Sequence, residues 1–261
     1  MKAKVSGTKK KINGTTFLLM ITILLFVVMY AAGMIVFNDK GFAKPQMFLN
    51  LFISNAGLLV IAMGETIVMI TAGIDISVGS VTALVCMVAA NQMENHGASA
   101  YTALLMALVI GLLFGLVQGF LVSYLEIQPF IVTLAGMFFG RGMTSIISTD
   151  MISIKNATFM AWAKYKIYMP CGSYSKRGKF LPAYIYPTVI IAIIVLIVII
   201  IVMKYTKFGR SVYAIGGNEQ SALMMGLNVK RTKMAAYLLD GFLAGLGGFL
   251  FCMNSCAGFV E

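Results

Sequence analysis

The sequence predicts an all-α, polytopic membrane protein. Hydrophobic residues make up 60% of its 261 residues and charged residues only 11%, against about 25% charged in a soluble domain. The apolar residues also fall in long blocks: 17–37, 101–125 and 183–203 contain no charge. Each block matches the roughly 20 residues that carry a helix across a bilayer. The short alternating segments of a membrane β-barrel are absent.

Taken in order, the apolar segments lie at about 17–37, 48–71, 75–91, 101–125, 129–148, 183–203 and 234–254, which predicts seven spans. The first follows Lys9, Lys10 and Lys11 but is longer than the 7–15 residue core of a signal peptide and lacks a small-residue cleavage site, so it reads as a retained span. Residues 1–16 form a basic tail and 17–261 the membrane domain. Lysines stand at 2, 4, 9, 10 and 11 with no acid among them, which predicts a cytoplasmic N-terminus by the positive-inside rule. Counting spans then places the 149–182 loop outside and the 204–233 loop in the cytoplasm. The second loop agrees with the rule: Lys204, Lys207, Arg210, Lys230, Arg231 and Lys233 face Glu219 alone. The first runs against it, with Lys176, Arg177 and Lys179 among its bases.

The net charge of +11 needs no nucleic acid partner, because the bases sit in the tail and loops, beside lipid headgroups. Cys86, Cys171, Cys252 and Cys256 have no zinc or disulfide-framework spacing, so no metal site is expected. His96, the single histidine, lies in a polar loop. Without a nucleophile–base or metal constellation the chain does not read as a membrane hydrolase, and no catalytic residues are assigned. Glycines recur at four-residue spacing at Gly111, Gly115 and Gly119, at Gly136 and Gly140, and at Gly241 and Gly245. Such faces let helix backbones approach closely in lipid.

The stretch TAGIDISVGS (71–80) interrupts two apolar runs. An opened backbone at membrane depth must be buried in protein or line a cavity. Gly73 makes a turn inexpensive, and Asp75 is placed to accept from the N–H of Ser77 or Val78 at the start of the next helix. Two readings stand: Asp75 as a structural cap, or Asp75 as a pathway residue that meets substrate or a coupling proton. Glu65 lies mid-segment with no cap to make, and an intramembrane acid is a functional candidate. The predicted pathway set is Glu65, Gly73, Asp75, Ser77, Gly79 and Ser80. Arg141, the one base inside a predicted span, either snorkels to the interface or pairs with Glu65 or Asp75.

In the 204–233 loop, Gly216 and Gly217 are read as a backbone breaker, Asn218 as an N-cap, Glu219 as a first-turn acid and Gly226 as a stop. Between them a short helix carries Ala222, Leu223 and Met224. Its apolar side chains either pack on the protein's own helix ends and lipid or dock into a partner's groove.

GETIVMITAGIDISVGSVTALV (64–85), PFIVTLAGMFFGRGMTSIIS (129–148) and TKFGRSVYAIGGNEQSALMMGLNVKRTK (206–233) resemble, in this order, the permease subunits of bacterial ribose/galactose-type sugar ABC importers. The 129–148 wording is most similar to the galactofuranose-type branch. Ala72 departs from a glycine usual in that family, and Glu65 stands where the family is often uncharged. The resemblance implies a type II-like importer fold of ten spans in a bacterial inner (plasma) membrane, about seven of which are present. The C-terminal part is thus expected to be missing. It also implies a dimer with a second copy or a sister permease, an extracytoplasmic sugar-binding protein docking on the 149–182 loop, and a coupling helix at 216–226 inserted into a separate ATPase. With no P-loop in this chain, ATP and magnesium are expected on that ATPase and no cofactor here. The cargo implied is a monosaccharide of galactofuranose, ribose or galactose type. An ion-coupled secondary transporter using Glu65 and Asp75 is the competing reading, since broken helices and intramembrane acids suit it too.

Overall fold

The computed structural model describes residues 14–37, 41–42, 44–174 and 180–259. The basic tail before Gly14 and the bases Lys176, Arg177 and Lys179 lie outside the described residues. The helices are α1 (Gly14–Val36), α2 (Pro45–Ile70), α3 (Val78–Asn95), α4 (Ala100–Ser123), α5 (Pro129–Ile147), α6 (Ala157–Ala163), α7 (Pro187–Tyr205), α8 (Lys207–Gly217), α9 (Glu219–Met224) and α10 (Val229–Ser255). Four short strands join them: β1 (Ile152–Ser153), β2 (Ile167–Tyr174), β3 (Phe180–Ile185) and β4 (Ala257–Gly258).

Six described helices are long and apolar enough to span a membrane: α1, α2, α4, α5, α7 and α10. The third predicted span, 75–91, is helix α3 but falls short of that measure. Its C-terminal turns are polar (Asn91, Gln92, Glu94, Asn95), and it is buried among α10, α4 and α5 rather than turned toward lipid. A helix enclosed by protein needs no continuous apolar surface.

Proline at the first or second helical position starts α2, α5 and α7, where its missing N–H has no intrahelical partner to lose. Side-chain caps start others: Ser99 accepts from the Thr102 N–H, Asn156 from Phe159, Thr206 from Gly209 and Asn228 from Arg231. The sixth segment begins later than predicted because residues 180–185 are strand β3.

α10 is the centre of the bundle, packed on α4, α2 and α3. The glycine stripes make this contact. A Cβ on Gly111 would collide with the carbonyl of Gly241, one on Gly115 with the carbonyl of Tyr237, and one on Gly245 with the carbonyl of Ala107. Opposite, Gly57 lies against Gly247 and Phe251, and Gly64 against Asp240 and Leu243. Both α2 and α4 therefore run antiparallel to α10. α5 packs on α3 and α7 on α2, while α1 stays at the edge, where Tyr30 meets Phe42 and Phe48 at ring-centroid distances of 5.4 and 5.8 Å.

The described part of the predicted 149–182 loop is folded. β1 pairs antiparallel with β4, Ile152 opposite Gly258, and β2 with β3, Tyr174 opposite Phe180. Glu94 at the end of α3 accepts from the N–H of Lys155 and of Asn156 at 2.6 and 2.9 Å. Gln46 at the start of α2 exchanges two hydrogen bonds with the Tyr184 backbone, at 3.1 and 2.8 Å. These ties fix the hairpin and α6 at one end of the bundle. α8 and α9 follow the far end of α7 and so occupy the opposite end.

Candidate functional site

α2 ends at Ile70 and the chain turns back into the bundle before α3 begins. The turn differs from its sequence reading. The left-handed residue is Ala72, φ 60°, not Gly73, which is outside that region. Gly73 serves close approach instead: a Cβ there would stand 2.8 Å from the Tyr237 hydroxyl and 3.0 Å from Val68. Tyr237 Oη donates to the Ile74 carbonyl at 3.2 Å, and Tyr237 lies about 12 Å along α10 from Val229. The break is thus held within the depth of the bundle.

Asp75 is buried, 7% exposed. Its Oδ1 accepts from the Ser77 N–H at 2.7 Å and from Ser77 Oγ at 2.6 Å. Ser77 itself occupies the N-cap position of α3, so Asp75 closes a turn just ahead of the helix rather than capping it directly. Gln118 Nε2 on α4 donates to Ser77 Oγ at 2.8 Å, and Ser80 Oγ donates to the Ser77 carbonyl at 2.7 Å. Glu65 Oε1 accepts weakly from the Asp75 N–H at 3.4 Å. Asp75, Ser77, Ser80 and Glu65 therefore share one cluster. Gly79 does not crowd it, since its missing side chain faces open space. Arg141 does not pair with either acid: it forms no salt bridge among the described residues and is exposed.

Two members went unpredicted. Asp240 on α10 is fully buried, and no amide or hydroxyl among the described residues donates to either of its oxygens. Its carboxyl stands beside that of Asp75, within hydrogen-bond reach, and near that of Glu65. Gln118 also keeps a buried, unpartnered oxygen, as does Glu65. The signal for Asp240 was present as a lone acid in an apolar span, the same rule that selected Glu65. Buried polar atoms left unmatched are costly, which sets this cluster apart from the rest of the bundle.

The second site is at the far end. Gly216 and Gly217 are not a breaker: both belong to the last turn of α8, and the chain turns at Asn218, φ −162° and ψ 112°. Asn218 Oδ1 accepts from the Ser221 N–H at 2.8 Å. Gly226 (φ 78°) ends α9 as read from sequence. Its N–H reaches the Leu223 carbonyl at 2.9 Å and that of Leu227 the Ala222 carbonyl at 3.1 Å, the two crossed bonds of a Schellman stop. Ala222 is buried with Ile215 of α8 and Val229 of α10. Leu223, Met224 and Met225 point away, 64%, 87% and 68% exposed. Lys233 clamps Glu219 at 2.7 Å. Lys230 pairs with Glu126 of the α4–α5 turn at 2.8 Å and holds that carboxyl below its ordinary pKa range. Between them lies a groove of about 770 Å³ bordered by Glu126, Pro129, Glu219, Leu223 and Lys230.

Comparisons with known proteins agree with this architecture. Residues 47–257 match the family described as the branched-chain amino acid transport system / permease component. The inner membrane ABC transporter permease protein YjfF of Escherichia coli is 36% identical over 93% of this chain and 70% of its own length. The fructose import permease protein FruG of Bifidobacterium longum is 33% identical over 96% and 72%, and the ribose import permease protein RbsC of Escherichia coli 33% over 73% and 56%. No solved structure matches the chain. The matched stretch runs from the first turn of α2 into β4, and the chain belongs to this family as a multi-pass membrane permease of the ABC-importer class, akin to sugar import permeases.

Proposed function

We propose that the chain is the transmembrane subunit of an ATP-driven importer that brings a monosaccharide of galactofuranose, ribose or galactose type into a bacterial cell by alternating access. The family and the names of its relatives, which include fructose and ribose permeases, support a sugar cargo. The α8–α9 end faces the cytoplasm and the β2–β3 hairpin the outside. A separate ATPase holds ATP and magnesium, and a sugar-binding protein delivers cargo to the hairpin and the turn before it, where Tyr168 and Tyr174 and then Tyr165 are exposed. A second copy or a sister permease completes the pore. Glu65, Asp75, Ser77, Ser80, Gln118 and Asp240 border the pathway. ATP binding drives the change only through the difference in ATPase affinity for the two states.

One observation carries the reading: α9 turns Leu223, Met224 and Met225 outward while Ala222 anchors it to α8 and α10. A six-residue helix gains its stability from contacts rather than from itself, and its outer face fits a groove on a partner. In a pull-down of the ATPase, the Leu223→Ala/Met224→Ala variant is expected to weaken retention by about 2–4 kcal/mol, as interface hot spots do, with membrane insertion unchanged. Full retention and normal substrate-stimulated ATP hydrolysis in liposomes would reduce 218–226 to a structural stop.

The buried acids favour a second reading, an ion-coupled transporter using Glu65 and Asp75. It requires uptake in liposomes that hold an ion gradient and no ATPase. Absence of uptake there, and its appearance when the ATPase and ATP are supplied, would decide for the importer.

A further inference from the structure

We propose that the cleft between α2, α7 and α8 is a binding site for one anionic phospholipid. The cleft measures about 690 Å³ and has two chemistries. Its walls are apolar: Ile67 and Ile70 from α2, and Ile199, Ile200 and Met203 from α7. Its mouth carries Lys204 at the end of α7 and Arg210 in α8. Neither base takes part in a salt bridge among the described residues, whose acids Glu126 and Glu219 at this end are taken by Lys230 and Lys233.

The setting identifies the occupant. Lys204 and Arg210 are exposed, and Tyr205 and Tyr213 beside them are 66% and 56% exposed. Tyrosines collect at the headgroup level of a bilayer, so the two cations stand where lipid phosphates are. Arg210 spends one N–H on the Tyr205 carbonyl at 3.4 Å, and Lys204 lies 5.4 Å from the Tyr205 ring centroid. Both contacts hold the cations at the mouth and leave most of their donors free. Below them the cleft has the volume and the apolar walls to take an acyl chain. A basic mouth on an apolar interhelical cleft suits a phosphate headgroup with its chain beneath. A soluble anion would use the mouth and leave the apolar walls wet; a zwitterionic lipid would bring its own cation against Lys204 and Arg210. The site also touches the machinery, because Ile70 precedes the break and α8 carries α9.

The full chain purified in detergent is incubated with phosphatidylglycerol, phosphatidylcholine or inorganic phosphate, and retained lipid is read by native mass spectrometry beside the melting temperature. Phosphatidylglycerol is expected to be retained with a preference on the order of tenfold over phosphatidylcholine and to raise the melting temperature; inorganic phosphate alone is expected to do neither. Lys204→Gln/Arg210→Gln should bring the two lipids to parity. Ile200→Trp, which fills the cleft and keeps both charges, should lower phosphatidylglycerol retention. Lys207→Gln, a base outside the cleft, should change nothing. Equal retention of the two lipids by the wild type overturns the proposal. So does an equal loss in Lys207→Gln, which would mean diffuse charge, or full stabilisation by phosphate, which would mean a soluble anion. Unaltered retention in Ile200→Trp overturns it as well, since no chain would then occupy the cleft.

Discussion

Asp75 makes two short hydrogen bonds, both to Ser77 and both through one oxygen. Asparagine keeps an acceptor at that position, so Asp75→Asn should preserve the turn and cost little stability. Asp75→Leu removes both bonds and strands a buried N–H, a loss of about 1–3 kcal/mol that detergent melting should register. Uptake then separates the two roles left open by the sequence. A structural turn predicts near-normal transport in Asp75→Asn, and a pathway carboxylate predicts its loss in a correctly folded protein. Asp240 is the sharper case because no amide or hydroxyl satisfies it. Asp240→Asn keeps the side chain's size and gives it an amide that can donate to the neighbouring Asp75 carboxyl, so it should melt at or above the wild-type temperature, while lowering transport if the oxygens meet substrate during the cycle. Unchanged transport in both variants would confine the cluster to holding the break together.

α8 is the mechanical neighbour of the break. A Cβ on Gly216 would collide with the carbonyl of Ile70, the last residue of α2, whereas one on Gly217 meets nothing within 4 Å. The two adjacent glycines therefore make a controlled pair. Gly217→Ala should be neutral or stabilising by up to about 1 kcal/mol from helix propensity. Gly216→Ala must push α8 from the end of α2, and with it α9, which Ala222 and Ile215 fix to α8. In the assembled importer, Gly216→Ala is expected to lower substrate moved per ATP hydrolysed, while Gly217→Ala leaves that ratio alone. A mere loss of folded protein lowers both activities together and leaves the ratio unchanged, so the ratio distinguishes a coupling contact from a structural one.

The bundle is built on glycine-to-backbone contact around α10, and its tolerance should follow that pattern. Gly111→Ala places a methyl into the Gly241 carbonyl, while Gly142→Ala on α5 meets nothing within 4 Å. The first should destabilise by about 1–3 kcal/mol, as overpacking does, and the second should not, when both are melted in detergent. The arrangement of ends is testable with the protein's own thiol. Cys171 is exposed on the hairpin, while Cys86 and Cys252 are buried and Cys256, half-buried at the same end, is replaced by alanine throughout. In whole cells an impermeant maleimide should label Cys171 from outside; in a Cys171→Ala background, cysteine at Gln220 should react only after the membrane is opened. Labelling of both from one side would remove the opposed-end arrangement and the coupling role of α9.

Much of this was legible in the chain itself. Length and apolarity of the spans, proline and Ser/Asn/Thr helix starts, and the α9 stop at Gly226 are local properties, set by a few adjacent residues and by the bilayer. The existence of the 71–80 break was equally local, because Asp75 and its serine neighbours interrupt an apolar run. The partners of that break were not. Ala72 rather than Gly73 takes the left-handed turn, because Gly73 is needed against Tyr237, more than 160 residues on. Asp240 joins Asp75 only because the Gly111 and Gly241 faces bring α4 onto α10 and the Gly64 face brings α2. Gly216 reads as a turn residue by sequence, and only its approach to Ile70 makes it a contact. Sequence alone determined where the long apolar helices lie, to within a few residues, and that the protein is a membrane permease. The tertiary structure decided which polar groups meet and which glycines are contacts, because these depend on distances between helices far apart in the chain.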